Sequence, residues 1–177
     1  MLKALRYKIL IKQHKNRIYS YSYFMMRNRM DADDITQEVL IRLWKNIESF
    51  DFNKAKSWIM RTTHNLCIDY LRQNKSSTNK FLEINEEFEN NYDEGNMLND
   101  PEITLRRELI KSKIKEAVEN LPELLKSVFV LYELDGMKYK EIGEVLNIPL
   151  NSVKVYLLRA RKKLQLELKE LIHEKTI

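Results

Sequence analysis

The stretch from Gly136 to Leu164 reads GMKYKEIGEVLNIPLNSVKVYLLRARKKL. Two apolar helical patterns, Lys138–Leu146 and one beginning at Asn151, flank a five-residue break from Asn147 to Asn151. Asn147 can close the first pattern, because Asn tolerates positive φ better than most residues. Ile148 and Val153 are placed to wedge the two helices together. Asn151 or Ser152 can cap the second helix by accepting from its first backbone N–H groups. The outward positions of that helix then carry Lys154, Tyr156, Arg159, Arg161, Lys162 and Lys163. Arginine can bond guanine edges in bidentate fashion, whereas lysine mainly neutralises phosphate. Turn, wedge and basic stripe together spell a DNA-reading helix-turn-helix.

Around this core the same helical grammar continues. Leu105–Asn120 reads as one helix, and Pro122 suits the first turn of the next, which runs to about Leu134. Val153, Leu157, Ala160, Leu164, Leu168 and Leu171 form a stripe along the last helix. Nearer the N-terminus, Asp31 can cap a helix from about Ala32 to Ile47, with Ile35, Val39, Leu43 and Ile47 facing a core. Asp34, Gln37, Glu38 and Ile41 recur on a neighbouring face, which is acidic within a basic region. The loop Glu48–Lys56 follows. A helix from about Ser57 to Gln73 has a core stripe of Ile59, Thr63, Leu66 and Tyr70, and its other face presents Trp58, Arg61, Asn65, Ile68 and Arg72. A longer helix around Leu5–Arg29 precedes them.

Charge divides the chain. Residues 1–80 hold 16 Lys and Arg against 7 Asp and Glu; residues 81–104 hold none against 8; residues 105–177 hold 15 against 11. The middle block, with Gly95 and Pro101, reads as a flexible acidic linker. With only 3 Gly and 3 Pro in 177 residues, the expected fold is all-α: two small helical domains, 1–80 and 105–177, joined by the linker 81–104. The formal charge of +5 favours polyanionic partners.

Other chemistries find little support. His14, His64 and His173 lie far apart in sequence and lack ligand spacing with Cys67; His64 and Asp69 are poorly aligned on one helical face. There is no Gly-rich phosphate loop. DADDITQEVLIR, from Asp31, begins like a calcium loop but lacks its glycine. No enzyme, metal or cofactor is expected. The single cysteine fits a reducing compartment. No signal-peptide core or span of about 18–20 apolar residues is present, so a cytoplasmic protein without membrane insertion is expected.

The residues LPELLKSVFVLYELDGMKYKEIGEVLNIPLNSVKVYLLRARKKL (121–164) resemble the promoter-reading fourth domain of bacterial RNA polymerase sigma factors of the extracytoplasmic-function type. DDITQEVLIRLWKNIESF and KSWIMRTTHNLCIDYLRQ, within 33–75, resemble the second domain of the same family. The resemblance implies that Asp34, Gln37, Glu38, Leu40, Ile41 and Trp44 dock on the clamp helices of the polymerase's largest subunit. It implies that Phe50, Trp58, Arg61, Asn65 and Arg72 engage the minus-ten element, one of whose bases is flipped into the Glu48–Lys56 loop. It further implies that Asn151, Ser152, Lys154, Val155, Tyr156, Arg159, Arg161 and Lys162 face the minus-thirty-five element. A contact with the flap of the second-largest subunit and control by an anti-sigma factor are implied as well. Thr62, Thr63, His64, Gly143, Asn147 and Tyr156 depart from the common family pattern. The competing readings are a stand-alone helix-turn-helix regulator and a helical nucleic-acid-modifying enzyme.

Overall fold

The computed structural model describes residues 2–49, 51–76 and 101–173. Phe50 and most of the acidic block therefore lie outside the described residues. Seven α-helices follow in order: α1 (Leu2–Met26), α2 (Arg29–Asn46), α3 (Ala55–Ser76), α4 (Pro101–Glu119), α5 (Glu123–Phe129), α6 (Tyr139–Leu146) and α7 (Leu150–His173). A 3₁₀ turn (Phe52–Lys54) leads into α3, and a π turn (Val130–Leu134) extends α5. No strand occurs among the described residues. The all-α expectation is met.

In the first half, α1 buries Leu10, His14, Ile18, Tyr21 and Met25 at steps of three and four residues, one stripe of a 3.6-residue helix. Arg27, at φ 57°, ends α1 in the left-handed region. Asn28 caps α2 by accepting from the Asp31 N–H at 3.0 Å. Asn28, rather than Asp31, is thus the cap, and α2 begins three residues earlier than expected. Asp31 accepts instead from the Tyr70 hydroxyl of α3. The stripe Ile35, Val39, Leu43 and Ile47 is buried as read, and Ile59 and Thr63 of α3 are fully enclosed.

In the second half, α4 starts at Pro101, inside the stretch expected to be linker. Pro122 stands at the N-cap of α5, and the expected helix to Leu134 changes to π geometry at Val130. Asn147 ends α6 at φ 54°, in the left-handed conformation expected of it. The Gly143 carbonyl accepts from both Asn147 N–H and Ile148 N–H, closing the helix end. Helix α7 starts at Leu150, with the Pro149 carbonyl accepting from Ser152 and Val153 N–H. Asn151 and Ser152 therefore sit within the first turn of α7 and do not cap it. Val153, Leu157, Ala160 and Leu164 are buried along one stripe.

Gly143 matters for packing as well as for hydrogen bonding. A Cβ built there would lie 2.9 Å from the Ile148 carbonyl oxygen, a backbone atom that cannot swing aside. Alanine would gain about 1 kcal/mol of helix propensity but would add overpacking of about 1–3 kcal/mol. Gly143→Ala is expected to lower stability by about 1 kcal/mol, read as a fall in urea midpoint at unchanged slope. A midpoint equal to or above the parent's would refute this account of the turn.

The buried residues of the two halves form one continuous core. Helix α3 packs on α6, and α1 touches α5 and the π turn.

Candidate nucleic-acid interface

Three surfaces collect the residues singled out by the sequence. The first is on α2. Asp34 and Gln37 are exposed and Glu38 and Leu40 half-buried. Ile41 and Trp44 remain 47% and 42% exposed, high for large apolar side chains. Trp44 is held by α1. The Tyr7 ring of α1 meets it edge-on at 5.0 Å, and the Lys3 ammonium lies 5.0 Å from the centre of the Trp44 ring. Tyr7 is itself fixed, its hydroxyl donating to the Leu40 carbonyl at 3.1 Å. Lys3 and Tyr7 thus brace the indole, a contribution of α1 that no local pattern signalled. Glu38 pairs with Arg42 one turn on, at 2.6 Å.

The second surface is the outer face of α3. Asn65 and Arg72 are exposed, while Trp58 is half-buried against the core. Arg61 is engaged: its Nε donates to the Glu144 carbonyl of α6 at 2.9 Å, and Nη2 donates to the same oxygen. Thr63 lies wholly in the core, bonded to the Ile59 carbonyl at 2.8 Å. His64 turns inward, its Nδ1 2.8 Å from the Tyr21 hydroxyl. Burial pushes its imidazole down to about 4. Two of the departures from the family pattern are therefore packing residues.

The third surface is the N-terminal half of α7. Asn151, Lys154, Val155, Arg159 and Lys162 are exposed, and Ser152 and Tyr156 half-buried. The Arg159 guanidinium lies 6.0 Å from the centre of the Tyr156 ring. Arg161 is turned the other way. Its Nε and Nη2 donate to Glu133 at 3.0 and 2.6 Å, and its guanidinium lies over Tyr132 at 5.3 Å. Tyr132 in turn stacks on Tyr139 at 5.1 Å. Arg61 and Arg161, both expected to face nucleic acid, thus already hold protein partners.

Among the described residues no three His, Cys, Asp or Glu side chains group so as to hold a metal ion. No described helix is long and apolar enough to cross a membrane. Cys67 is buried, its thiol pushed up to about 12 by burial.

Comparison with known proteins agrees with this geometry. The family model for Sigma-70 region 2 matches residues 10–77, and that for Sigma-70, region 4 matches residues 111–164. The chain is 33% identical to the ECF RNA polymerase sigma factor SigW of Bacillus subtilis over 168 residues, covering 92% of this chain and 88% of that protein. It is 30% identical to the ECF RNA polymerase sigma-E factor of Haemophilus influenzae over 173 residues, covering 94% and 89%. The chain belongs to the extracytoplasmic-function family of RNA polymerase sigma factors: it is a transcription initiation factor that binds bacterial core RNA polymerase and directs it to promoters. The same fold occurs in the sigma factor RpoE solved with the anti-sigma factor NepR from Bartonella quintana, with TM-score 0.72 and 18% identity over 92% of this chain and 96% of that one. It occurs also in CnrH solved with the cytosolic domain of CnrY, with TM-score 0.66 and 20% identity over 93% and 88%.

Proposed function

We propose that the three surfaces divide the work of initiation. Residues 1–80 form the domain that docks on polymerase and opens the minus-ten element, and residues 105–177 form the domain that reads the minus-thirty-five element. Asp34, Gln37, Glu38, Leu40, Ile41 and Trp44 dock on the clamp helices of the largest subunit, with the braced Trp44 as the apolar anchor. Trp58, Asn65 and Arg72, with Arg61 once released, engage the minus-ten strand, and Phe50 lies in the loop that receives its flipped base. Asn151, Ser152, Lys154, Val155, Tyr156, Arg159 and Lys162 enter the major groove, and Val155 offers a methyl surface suited to thymine. The second domain also meets the flap of the second-largest subunit. Strand opening draws on binding energy to extruded bases, so the factor itself makes and breaks no covalent bond. It works in the cytoplasm.

The observation that carries this reading is the turn at Asn147, which leaves the exposed cations of α7 on the side opposite its buried stripe. Control by an anti-sigma factor is supported by the similarly folded sigma factor RpoE, solved with the anti-sigma factor NepR, and by the apolar exposure of Ile41 and Trp44.

The test is transcription of fragmented bacterial DNA by purified core polymerase with and without the chain, sequencing RNA 5′ ends. Discrete new starts sharing two spaced upstream motifs are expected. Arg159→Ala should keep core binding and the downstream motif while weakening selection of the upstream one by about 1–3 kcal/mol. No added transcription from a folded chain on a cognate core would favour a stand-alone DNA-binding regulator.

A further inference from the structure

The outer face of α7 carries an apolar spot among its cations. The buried stripe recurs at steps of four, three and four residues: Val153, Leu157, Ala160 and Leu164. The same steps from Asn151 give Asn151, Val155, Leu158 and Lys162, all four exposed. The two sets are offset by two residues, about 200° of rotation, so the second set points away from the core. Leu158 is 68% exposed and Val155 44%. Neither packs on the core, whereas Tyr156 does. Side chains three apart on a helix stand about 5–6 Å from each other, so Val155 and Leu158 form one patch.

The surroundings of this patch select its occupant. Lys154, Arg159 and Lys162 frame it, all exposed, and the Arg159 guanidinium lies near the Tyr156 ring. From Leu150 to Leu166 there is no Asp or Glu. Such a frame fits a polyanion, with cations on phosphates and the patch turned to the base edges between them. In the major groove those edges present hydrogen-bond acceptors and amino donors, and one apolar group, the C5 methyl of thymine. A leucine has no polar atom with which to read the others.

Given the proposed assignment of α7 to the minus-thirty-five element, we propose that Leu158, with Val155 beside it, reads a C5 methyl group in the upstream motif. The ligand class is a 5-methylpyrimidine: thymine in unmodified DNA, and 5-methylcytosine where cytosine has been methylated. Leu158 thus determines specificity by the presence or absence of a methyl group, independently of the polar readers around it. Cytosine methylation at the matching position strengthens a promoter.

The test uses holoenzyme assembled from the full chain and core polymerase, on synthetic templates of one promoter taken from the mapped start sites. Each thymine of the upstream motif, on either strand, is replaced in turn by uracil, which lacks only the methyl group. At subsaturating holoenzyme the parent should initiate about fourfold less often after replacement at one position or two adjacent ones, the scale of one buried methyl group. There, a 5-methylcytosine–guanine pair should initiate about fourfold more often than a cytosine–guanine pair. Leu158→Gln, at an exposed position, should bring both ratios to one, and Leu158→Met should keep them. Equal initiation on thymine and uracil templates throughout would overturn the methyl reading; an equal fall on both in Leu158→Gln would then assign Leu158 to a protein partner. A thymine-to-uracil ratio that survives in Leu158→Gln would overturn the role of Leu158. Unchanged selection of the upstream motif in Arg159→Ala would instead overturn the assignment of α7.

Discussion

Glu38→Lys is expected to weaken binding to core polymerase by about tenfold to a hundredfold, because like charges juxtaposed across an interface cost several kcal/mol. The Glu38 side chain lies one turn before the exposed Ile41 and two before Trp44, on the face that carries Asp34. Reversal would put a cation where the proposed docking face offers an anion to the clamp helices. Within the chain the cost is small. The Glu38–Arg42 pair is exposed, and such pairs contribute only about 0.3–0.5 kcal/mol. Far-UV dichroism and melting temperature should therefore stay near the parent values while the dissociation constant, titrated by anisotropy of a labelled factor against core, rises. Parental affinity in the variant would remove Glu38 from the docking face.

Acid should destabilise the fold through His64. Its ordinary value is 6.5, and burial, only partly opposed by the nearby Glu123, lowers it to about 4 in the folded chain. The folded state thus holds the neutral ring. Its contribution is fully present above about 6.5 and is lost as pH falls toward about 4, the unfolded chain taking up the proton first. A displacement of that size corresponds to roughly 3 kcal/mol across the window. Asp135 acts in the opposite sense: its raised carboxyl contributes stability at low pH that is lost as pH rises through about 6. The two are separated by comparing the parent with His64→Gln, whose amide can still bond the Tyr21 hydroxyl. In urea unfolding at pH 7 and pH 4.5, the parent should lose more stability on acidification than the variant. Parallel losses would show that His64 is not the group responsible.

Where helical period and turn chemistry act locally, the sequence was a sufficient guide. The stripes Ile35–Ile47 and Val153–Leu164 are buried, and Asn147 adopts the left-handed turn, because each depends on residues within one or two helical turns. Boundaries were less legible. Asp31 has the chemistry of a cap, but the Tyr70 hydroxyl, from another helix, claims its carboxylate, and Asn28 takes the role. Pro101 lies in acidic sequence yet opens α4, since proline is well suited to a first helical turn. The candidate surfaces divide the same way. Exposure of Asn65, Arg72, Lys154 and Arg159 follows from period alone. The engagement of Arg61 by Glu144, 83 residues away, and of Arg161 by Glu133 does not, because long basic side chains choose partners that only tertiary packing brings near. Thr63 is buried as its place on the Ile59 stripe implied, whereas the inward turn of His64 depends on Tyr21, 43 residues away.

The stack of Arg161 on Tyr132 on Tyr139 ties α7 to both the π turn and α6. The roll of α7, the helix proposed to enter the major groove, is therefore geared to side chains that face away from its proposed reading edge. Such an arrangement gives natural variation two routes to a new regulon. One rewrites the reading residues themselves. The other alters the tyrosine spacer, rotating an unchanged set of contacts against the groove by a few degrees, so that two factors with identical reading residues can diverge in the promoters they serve.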